Sequence, residues 1–533
     1  MPPEAPSPAR AARPEGHSAL LVAIGIFLSR IAGLVRQKAM GHFLGSTAAA
    51  DAFNAAFRIP NLLQNLFGEG ALSASFIPVY AGMLAKGQNR DADRVAGAVG
   101  TLLALVCAVI VAVGVYAAPS LVWLLAPGFD GERATLTIHL VQILFPGAGL
   151  LVISAWCLGI LNSHRKFLLS YTAPVLWNAA MIGALLTYGP SQAPVTLVST
   201  LAVASVVGSL LQFVIQIPSV LRSAPNVRPG FRFRDPDVLA VVRTFGPAFI
   251  GRGVMQISSS IDSIIASLLP IGSVAVFGYA QTLYTLPVSL FGMAVSAAEL
   301  PAMSSATGTD AEIAAWLRAR IGGGLQRIAF FVIPSAVAFV VLGDTLAAAF
   351  FQSGEFTHDD TVRVWSTLAG SSVGLLAQTW ARLYSSTFYA LKDTKTPLRF
   401  AIIRVVITSA LGWFMAVELP GMIGVDPKWG VAGLTASAGM AGWVEYMLLH
   451  RALDLRVGTT GVAPRTVMKL WAAGALAGAT GIAATLLLPA MHPILTALLV
   501  IGPFGVVYLG ATWAMGFTEA APILRRLGLR QRK

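Results

Sequence analysis

The sequence predicts an all-α membrane protein of about fourteen spanning helices, arranged as two six-helix lobes followed by two C-terminal helices. Three observations carry that prediction. Of 533 residues, 56% are hydrophobic and only 11% are charged, with a mean hydropathy of +0.72; a soluble domain carries about 25% charged residues. The apolar residues come in blocks of roughly 18 to 25, the length that takes a helix across about 30 Å of hydrocarbon, and the short alternating segments of a spanning barrel are absent. The basic residues, finally, fall in every second loop.

Residues 1–17, rich in Pro, Ala and Arg, are expected to form a disordered cytoplasmic tail. No cleavable signal peptide is expected, because the first apolar stretch contains Arg30, runs on to Arg36 and lacks a small-residue cleavage site. The predicted spans are 18–36, 48–85, 95–117, 135–161, 168–188, 194–217, 238–269, 272–303, 321–342, 361–390, 398–417, 429–450, 466–488 and 493–516. Grouped, they give an N-terminal lobe over 18–221, a cytoplasmic inter-lobe loop over 222–237 and a C-terminal lobe over 238–456. Two extra helices over 457–517 and a basic cytoplasmic tail over 518–533 complete the chain.

Loop charge sets the orientation, since Lys and Arg stay on the cytoplasmic side. Lys86, Arg90 and Arg94 occupy one loop, Arg165 and Lys166 the next of the same phase, and Arg222, Arg228, Arg232, Arg234 and Arg243 the largest. The opposite loops are neutral or acidic, as at Asp344, Glu355, Asp359 and Asp360, with Lys38 the exception. Both termini are predicted to be cytoplasmic.

A repeat underlies this topology. LFGEGALSASFIP, from Leu66 to Pro78, is similar to LFGMAVSAAELP, from Leu290 to Pro301, about 224 residues later. Each follows a Gly-Ser turn (Gly45-Ser46 and Gly272-Ser273) and a proline within the span (Pro60 and Pro287). GILNSHRKF at Gly159–Phe167 has a fainter counterpart in FYALKDTKTP at Phe388–Pro397, roughly 230 residues on. Spans interrupted by Gly and Pro at matching positions of two halves point to a transport site, because the freed backbone groups must face protein or a wet cavity.

Ionisable residues inside spans are the second pointer, as a charge at a helix centre costs at least about 2.5–3.5 kcal/mol on insertion scales. The first span carries Arg30 and Arg36, and the second Asp51, Arg58 and Glu69. The seventh carries Arg252 and Asp262, the eighth Glu299, the tenth Arg382, the eleventh Arg404 and the twelfth Glu445. Several arginines facing one cavity suit a diphosphate, because guanidinium is always charged and presents a flat fork of donors. Arg36, Arg382 and Arg404 are equally open to snorkelling toward an interface, and Glu299 to a capping or interface role. Arg30, Arg58 and Arg252 are harder to place that way.

Other readings are weak. The net charge of +13 is spread over short loops with no basic run interleaved with aromatics, so nucleic acid is not an expected partner. Cys107 and Cys157 lie in apolar spans without CxxC spacing and read as packing residues. The seven histidines show no metal-binding spacing, and no metal or organic cofactor is expected.

Ser29 to Val79, SRIAGLVRQKAMGHFLGSTAAADAFNAAFRIPNLLQNLFGEGALSASFIPV, closely resembles the N-terminal signature of the MurJ (MviN) family of lipid II flippases, within the multidrug/oligosaccharidyl-lipid/polysaccharide exporter superfamily. The resemblance implies a V-shaped pair of lobes around a cationic cavity and a lipid-tail groove on the last two helices. It implies a bacterial inner-membrane transporter, not an enzyme, carrying undecaprenyl-diphosphate-linked disaccharide-pentapeptide outward by alternating access. Membrane lipids and other cell-wall synthesis proteins are its implied partners, and a monovalent cation or the membrane potential its implied coupling. The family's functional positions fall on Arg30, Arg36, Asp51, Arg58 and Glu69.

The chain departs from that pattern at Gln37, where the family has an acid, at Gln64 and Asn65, where it often has arginine, and at Gln281-Thr282, where an Asp-Arg pair is common. Arg252 is the expected substitute for the missing positive charge, and Asp262 a provisional assignment for ion coupling. Two alternatives stand beside the flippase. An exporter of another polyprenyl-diphosphate-linked oligosaccharide would use the same arginines. A membrane glycosyltransferase would need catalytic carboxylates or a metal motif in its loops, and the short loops show none; a drug exporter would want an acidic cavity.

Overall fold

The computed structural model describes residues 15–521 except 68 and 306–307; within its helices the side chains of 15–23, 69–70, 247–248, 250–255 and 257–259 are not described. The proposed tails thus fall largely outside the described residues, as do the side chains of Glu69 and Arg252.

The described chain is all-helical. In order come α1 (Glu15–Leu44), α2 (Ala48–Phe67), α3 (Glu69–Ala85), α4 (Asn89–Tyr116), α5 (Ala118–Leu125), α6 (Gly131–Ser163), α7 (Phe167–Tyr188), α8 (Pro194–Ser223) and α9 (Pro236–Ser267). Then follow α10 (Ser273–Pro287), α11 (Ala294–Ser304), α12 (Asp310–Val341), α13 (Gly343–Phe351), α14 (His358–Ala390), α15 (Lys395–Trp413), α16 (Leu419–Ile423), α17 (Gly430–Val457), α18 (Pro464–Leu487) and α19 (Pro493–Ala514). Among the described residues, nine stretches are long and apolar enough to cross a membrane: α4, α6, α7, α8, α10–α11, α12, α15–α16, α18 and α19. The long helices outside that set carry charge within their length, as Arg30 and Arg36 in α1 or Asp262 in α9.

Local sequence sets the ends and the breaks. Thr309 with Glu312 and Thr357 with Asp360 form reciprocal caps on α12 and α14, and proline opens α8, α18 and α19, where its missing N–H costs nothing. Two wide π turns, Val288–Met293 and Phe414–Glu418, lie next to Pro287 and Pro420, which interrupt the hydrogen-bond ladder.

The chain divides into two compact units. The first comprises residues up to Ala39, Ala56–Trp123 and Ala134–Ile257; the second comprises Met40–Ala55, Leu124–Arg133 and Ser258 onward. The division therefore cuts through α1 and α2. In the first unit buried polar side chains bind across helices: Gln212 and Gln216 donate to Ser154, and the Trp156 indole donates to the Ala96 carbonyl. In the second, α14 is the hub. A Cβ on its Gly374 would lie 2.2 Å from the Gly439 Cα, so the α14 and α17 backbones touch directly. Thr435 and Trp443 of α17 donate to the Thr367 and Val373 carbonyls, and Trp380 donates to Leu325 of α12.

The repeat has backbone markers. Gly45 and Gly272 both have left-handed backbone, and so do Arg165 and Lys392, the two non-glycine residues with positive φ among those described. The separations are 272 − 45 = 227 and 392 − 165 = 227, and Pro60 and Pro287 are also 227 apart. One offset thus sits between the 224 and 230 suggested by the matching segments.

Candidate functional site

The first unit holds the predicted arginines of α1 and α2. Arg30 is exposed and Arg36 and Arg58 are half-buried. Six residues on an α-helix amount to about 600°, so Arg30 and Arg36 leave α1 in different directions. Arg36 is held by aromatic faces. Its guanidinium lies 4.8 Å from the Trp177 ring and 5.5 Å from Phe57, the two rings stack at 5.6 Å, and Nη1 reaches the Met181 sulfur at 3.8 Å. Trp177 is fixed in turn by its indole N–H donating to Ser205 Oγ at 3.1 Å. Beside this cage, Pro60, Asn61, Leu144 and Ser209 help enclose a void of ≈10 Å³, room for one water at most. The cage is a packed support for the cation, and the Arg36 Nε has no hydrogen-bond partner within it.

Asp51, though on α2, belongs to the second unit and is fully buried there. Its carboxylate accepts from the Gly272 N–H at 2.7 Å and the Ala275 N–H at 2.8 Å, the unpaired amides at the start of α10, where the helix dipole favours an anion. Arg133 stands 3.6 Å away, resting on the Phe129 ring and donating to the Gly128 carbonyl. Ser46 donates to Asp360 and accepts from Arg363, which also donates to the Ile271 carbonyl at 3.2 Å. Gly272, at φ +88°, has no room for a side chain: a Cβ would lie 2.4 Å from the Ser46 carbonyl. The two Gly-Ser turns of the repeat therefore meet each other. The Tyr279 hydroxyl donates to the Gly45 carbonyl, and Glu355 N–H to His42, so residues 40–55 are sewn into this unit along their length.

Asp51 belongs to the second unit and Arg30, Arg36 and Arg58 to the first; the Asp51 oxygens are engaged by backbone amides. Sequence reading missed Arg133, Arg363 and Asp360 as its surroundings. The signal for the Asp51 contact was present in the Gly272-Ser273 helix start, an anion site waiting for a carboxylate.

Asp262 is half-buried on α9, and it, Arg382 and Arg404 each lie within electrostatic range of Tyr284 in the second unit. The Tyr284 hydroxyl donates to Gln378 Oε1 at 2.7 Å, and Arg404 pairs with Glu445 at 3.2 Å. Glu299 is held by Arg320 at 2.5 Å and Arg327 at 3.6 Å, a structural pairing between α11 and α12. Gln281 is exposed, and Thr282 turns its hydroxyl to the Gly278 carbonyl.

Solved structures share this bundle of broken apolar helices. An inward-facing multidrug-resistance MATE family transporter of the MOP superfamily superimposes with a TM-score of 0.63 at 18% identity, over 83% of this chain and 98% of its own. A structure described as lipid II flippase MurJ in an inward closed conformation reaches 0.76 at 22% identity, over 96% of this chain and 100% of that one. These likenesses give the fold. The family comes from sequence: the model described as Lipid II flippase MurJ matches residues 40–514, and the chain belongs to that family. A lipid II flippase MurJ of Burkholderia cenocepacia is 34% identical over 82% of this chain and 84% of its own length, and a probable one of Vibrio cholerae 31% identical over 86% of each. The protein is accordingly a multi-pass membrane protein of a transporter family, not of an enzyme family.

Proposed function

We propose that the chain flips lipid II, the polyprenyl-diphosphate-linked peptidoglycan precursor, from the cytoplasmic to the periplasmic leaflet of the bacterial inner membrane by alternating access, with fourteen spans and both termini cytoplasmic. The observation that carries this reading is the family match over residues 40–514, joined to three arginines on α1 and α2. Arg30 and Arg58 grip the diphosphate as charge-assisted donors. Arg36, its guanidinium face fixed on Trp177 and Phe57, presents a pre-aimed fork. Glu69 and Arg252 complete the set, with Arg252 replacing the charge absent at Gln281-Thr282. Asp51 acts one step removed, holding residues 40–55 to the start of α10 until the cycle releases them.

Of the two coupling modes, membrane potential is the better supported. Arg382 and Arg404 act on the same Tyr284 as Asp262 does, and two positive charges around that tyrosine disfavour a monovalent cation there. A charge crossing 100 mV is worth about 2.3 kcal/mol, enough to bias a cycle that moves arginines.

The test is depletion in the native bacterium with lipid II scored by leaflet. Lipid II should accumulate on the inner leaflet, wild type should restore export, and Arg30→Ala or Arg58→Ala should not. Normal export after complete depletion, with no redundant flippase, would transfer the assignment to another polyprenyl-diphosphate-linked oligosaccharide. Arg252→Ala complementing as well as wild type would remove Arg252 from the set.

A further inference from the structure

The first unit carries a second basic site, remote in sequence from the arginines of α1 and α2. An open cleft of ≈730 Å³ is lined by Arg90, Arg94, Arg228 and Arg232, together with Ala98, Gly230 and Phe231. Among the described residues no carboxylate lines it; Arg94, one of the lining arginines, is paired with Asp91. Asp93, the other nearby acid, is buried and turned away, accepting from the Asn226 backbone N–H at 3.0 Å and from the Tyr80 hydroxyl.

The cleft is built rather than incidental. The linker between α8 and α9 is pinned to α4 by the Asn226–Asp93 bond and by the Gly230 N–H donating to Thr101 Oγ1 at 3.0 Å. Gly97 lets the linker come that close: a Cβ there would lie 2.0 Å from the Arg228 carbonyl. Two arginines of the linker are thereby held opposite two of the first turns of α4. Four exposed arginines thus face one open cleft, and an anion between them would relieve their mutual repulsion.

We propose that this cleft binds the phosphate groups of an anionic membrane lipid. The ligand chemistry, phosphate held by guanidinium forks, follows from the lining; the lipid source follows from two further observations. The span predicted from sequence within α4 starts at residue 95, so a cleft lined from Arg90 to Ala98 straddles that boundary, at headgroup level. Phe231, which also lines it, is 73% exposed with Phe233 edge-on beside it at 6.0 Å. An exposed phenylalanine beside a phosphate site, backed by a half-buried second ring, suits an acyl chain and gives nothing to a soluble phosphate. The site is independent of the cargo assignment, and lipid bound there would clamp the linker between the helices α8 and α9.

The experiment uses the full-length protein in detergent, with native mass spectrometry reading binding of phosphatidylglycerol, phosphatidylcholine and inorganic pyrophosphate separately. Phosphatidylglycerol should bind in preference to phosphatidylcholine, and Arg228→Gln with Arg232→Gln should weaken it about thirtyfold. Phe231→Ser, which leaves every charge in place, should weaken the lipid but not pyrophosphate. Equal binding of the two lipids, or of wild type and the double arginine variant, overturns the proposal. Pyrophosphate binding as tightly as phosphatidylglycerol overturns the lipid source. Failure of the flipping test above leaves these readouts unaffected, so the two assignments fall separately.

Discussion

A single arginine shows how a charge can be kept inside an apolar bundle without being neutralised. Among the described residues Arg36 pairs with no carboxylate; it lies on the faces of Trp177 and Phe57 and touches a methionine sulfur. A cation over an aromatic face is worth about 0.5–1 kcal/mol when exposed and about 2 or more when desolvated. Lysine would keep the charge but lose the flat stacking surface and the fork. Arg36→Lys should therefore retain folding and lose most of its complementation, whereas a variant acting as wild type would show that charge alone suffices. At the far end of α14 an acid tells a complementary story. The Thr396 backbone and hydroxyl, with Arg456 beside them, hold the Asp393 carboxyl down at about 2 from an ordinary 3.8. A depressed carboxylate stabilises the fold above its unfolded value, and that contribution disappears as pH falls from about 4 through about 2. Thermal unfolding in detergent should show wild type ahead of Asp393→Asn at neutral pH and the gap closing across that window; a gap constant with pH would refute the assignment.

At the scale of elements, what holds residues 40–55 is the start of one helix receiving a carboxylate from another. α10 opens on Gly272 in a left-handed turn, exposing amides that Asp51 accepts. Each hydrogen bond to a charged group is worth about 1.5–3 kcal/mol. Asp51→Asn keeps the shape but turns an amide donor toward one of those N–H groups, and should lower the melting temperature in detergent. Gly272→Ala should do so by a different route, adding about 1–3 kcal/mol of backbone strain and a clash with the Ser46 carbonyl. The sequence signalled both halves of this contact, as a Gly-Ser turn and as an acid in an apolar span. It could not signal the pairing, because residues 221 and 224 positions apart meet only through the fold. Arg133 and Arg363 were invisible for the same reason: each reads as an ordinary charge near a helix end.

For the whole molecule, helical class, apolar blocks and repeat were legible because each rests on local pattern: length, loop charge and matched Gly/Pro breaks. The division into units was not, since it runs within α1 and α2 where no composition change marks it. The basic cleft was legible only as loop charge, because its shape depends on the Gly97 contact that folds the linker onto α4. That division carries a consequence for transport. If residues 40–55 must leave the second unit during each cycle, fixing them there should stop it. A Cβ placed on Gly278 would lie 3.7 Å from the Asn54 Cγ, close to where a cysteine sulfur at position 54 would stand. The double variant Asn54→Cys with Gly278→Cys should thus crosslink on oxidation, within the reach of ordinary disulfide geometry. The two native cysteines, Cys107 and Cys157, are free and buried, so the engineered pair reacts alone. Oxidised, the protein should fold but fail to export lipid II; reduced, it should recover. Export undiminished by a complete crosslink would mean that residues 40–55 stay in place throughout, and that the cycle opens elsewhere.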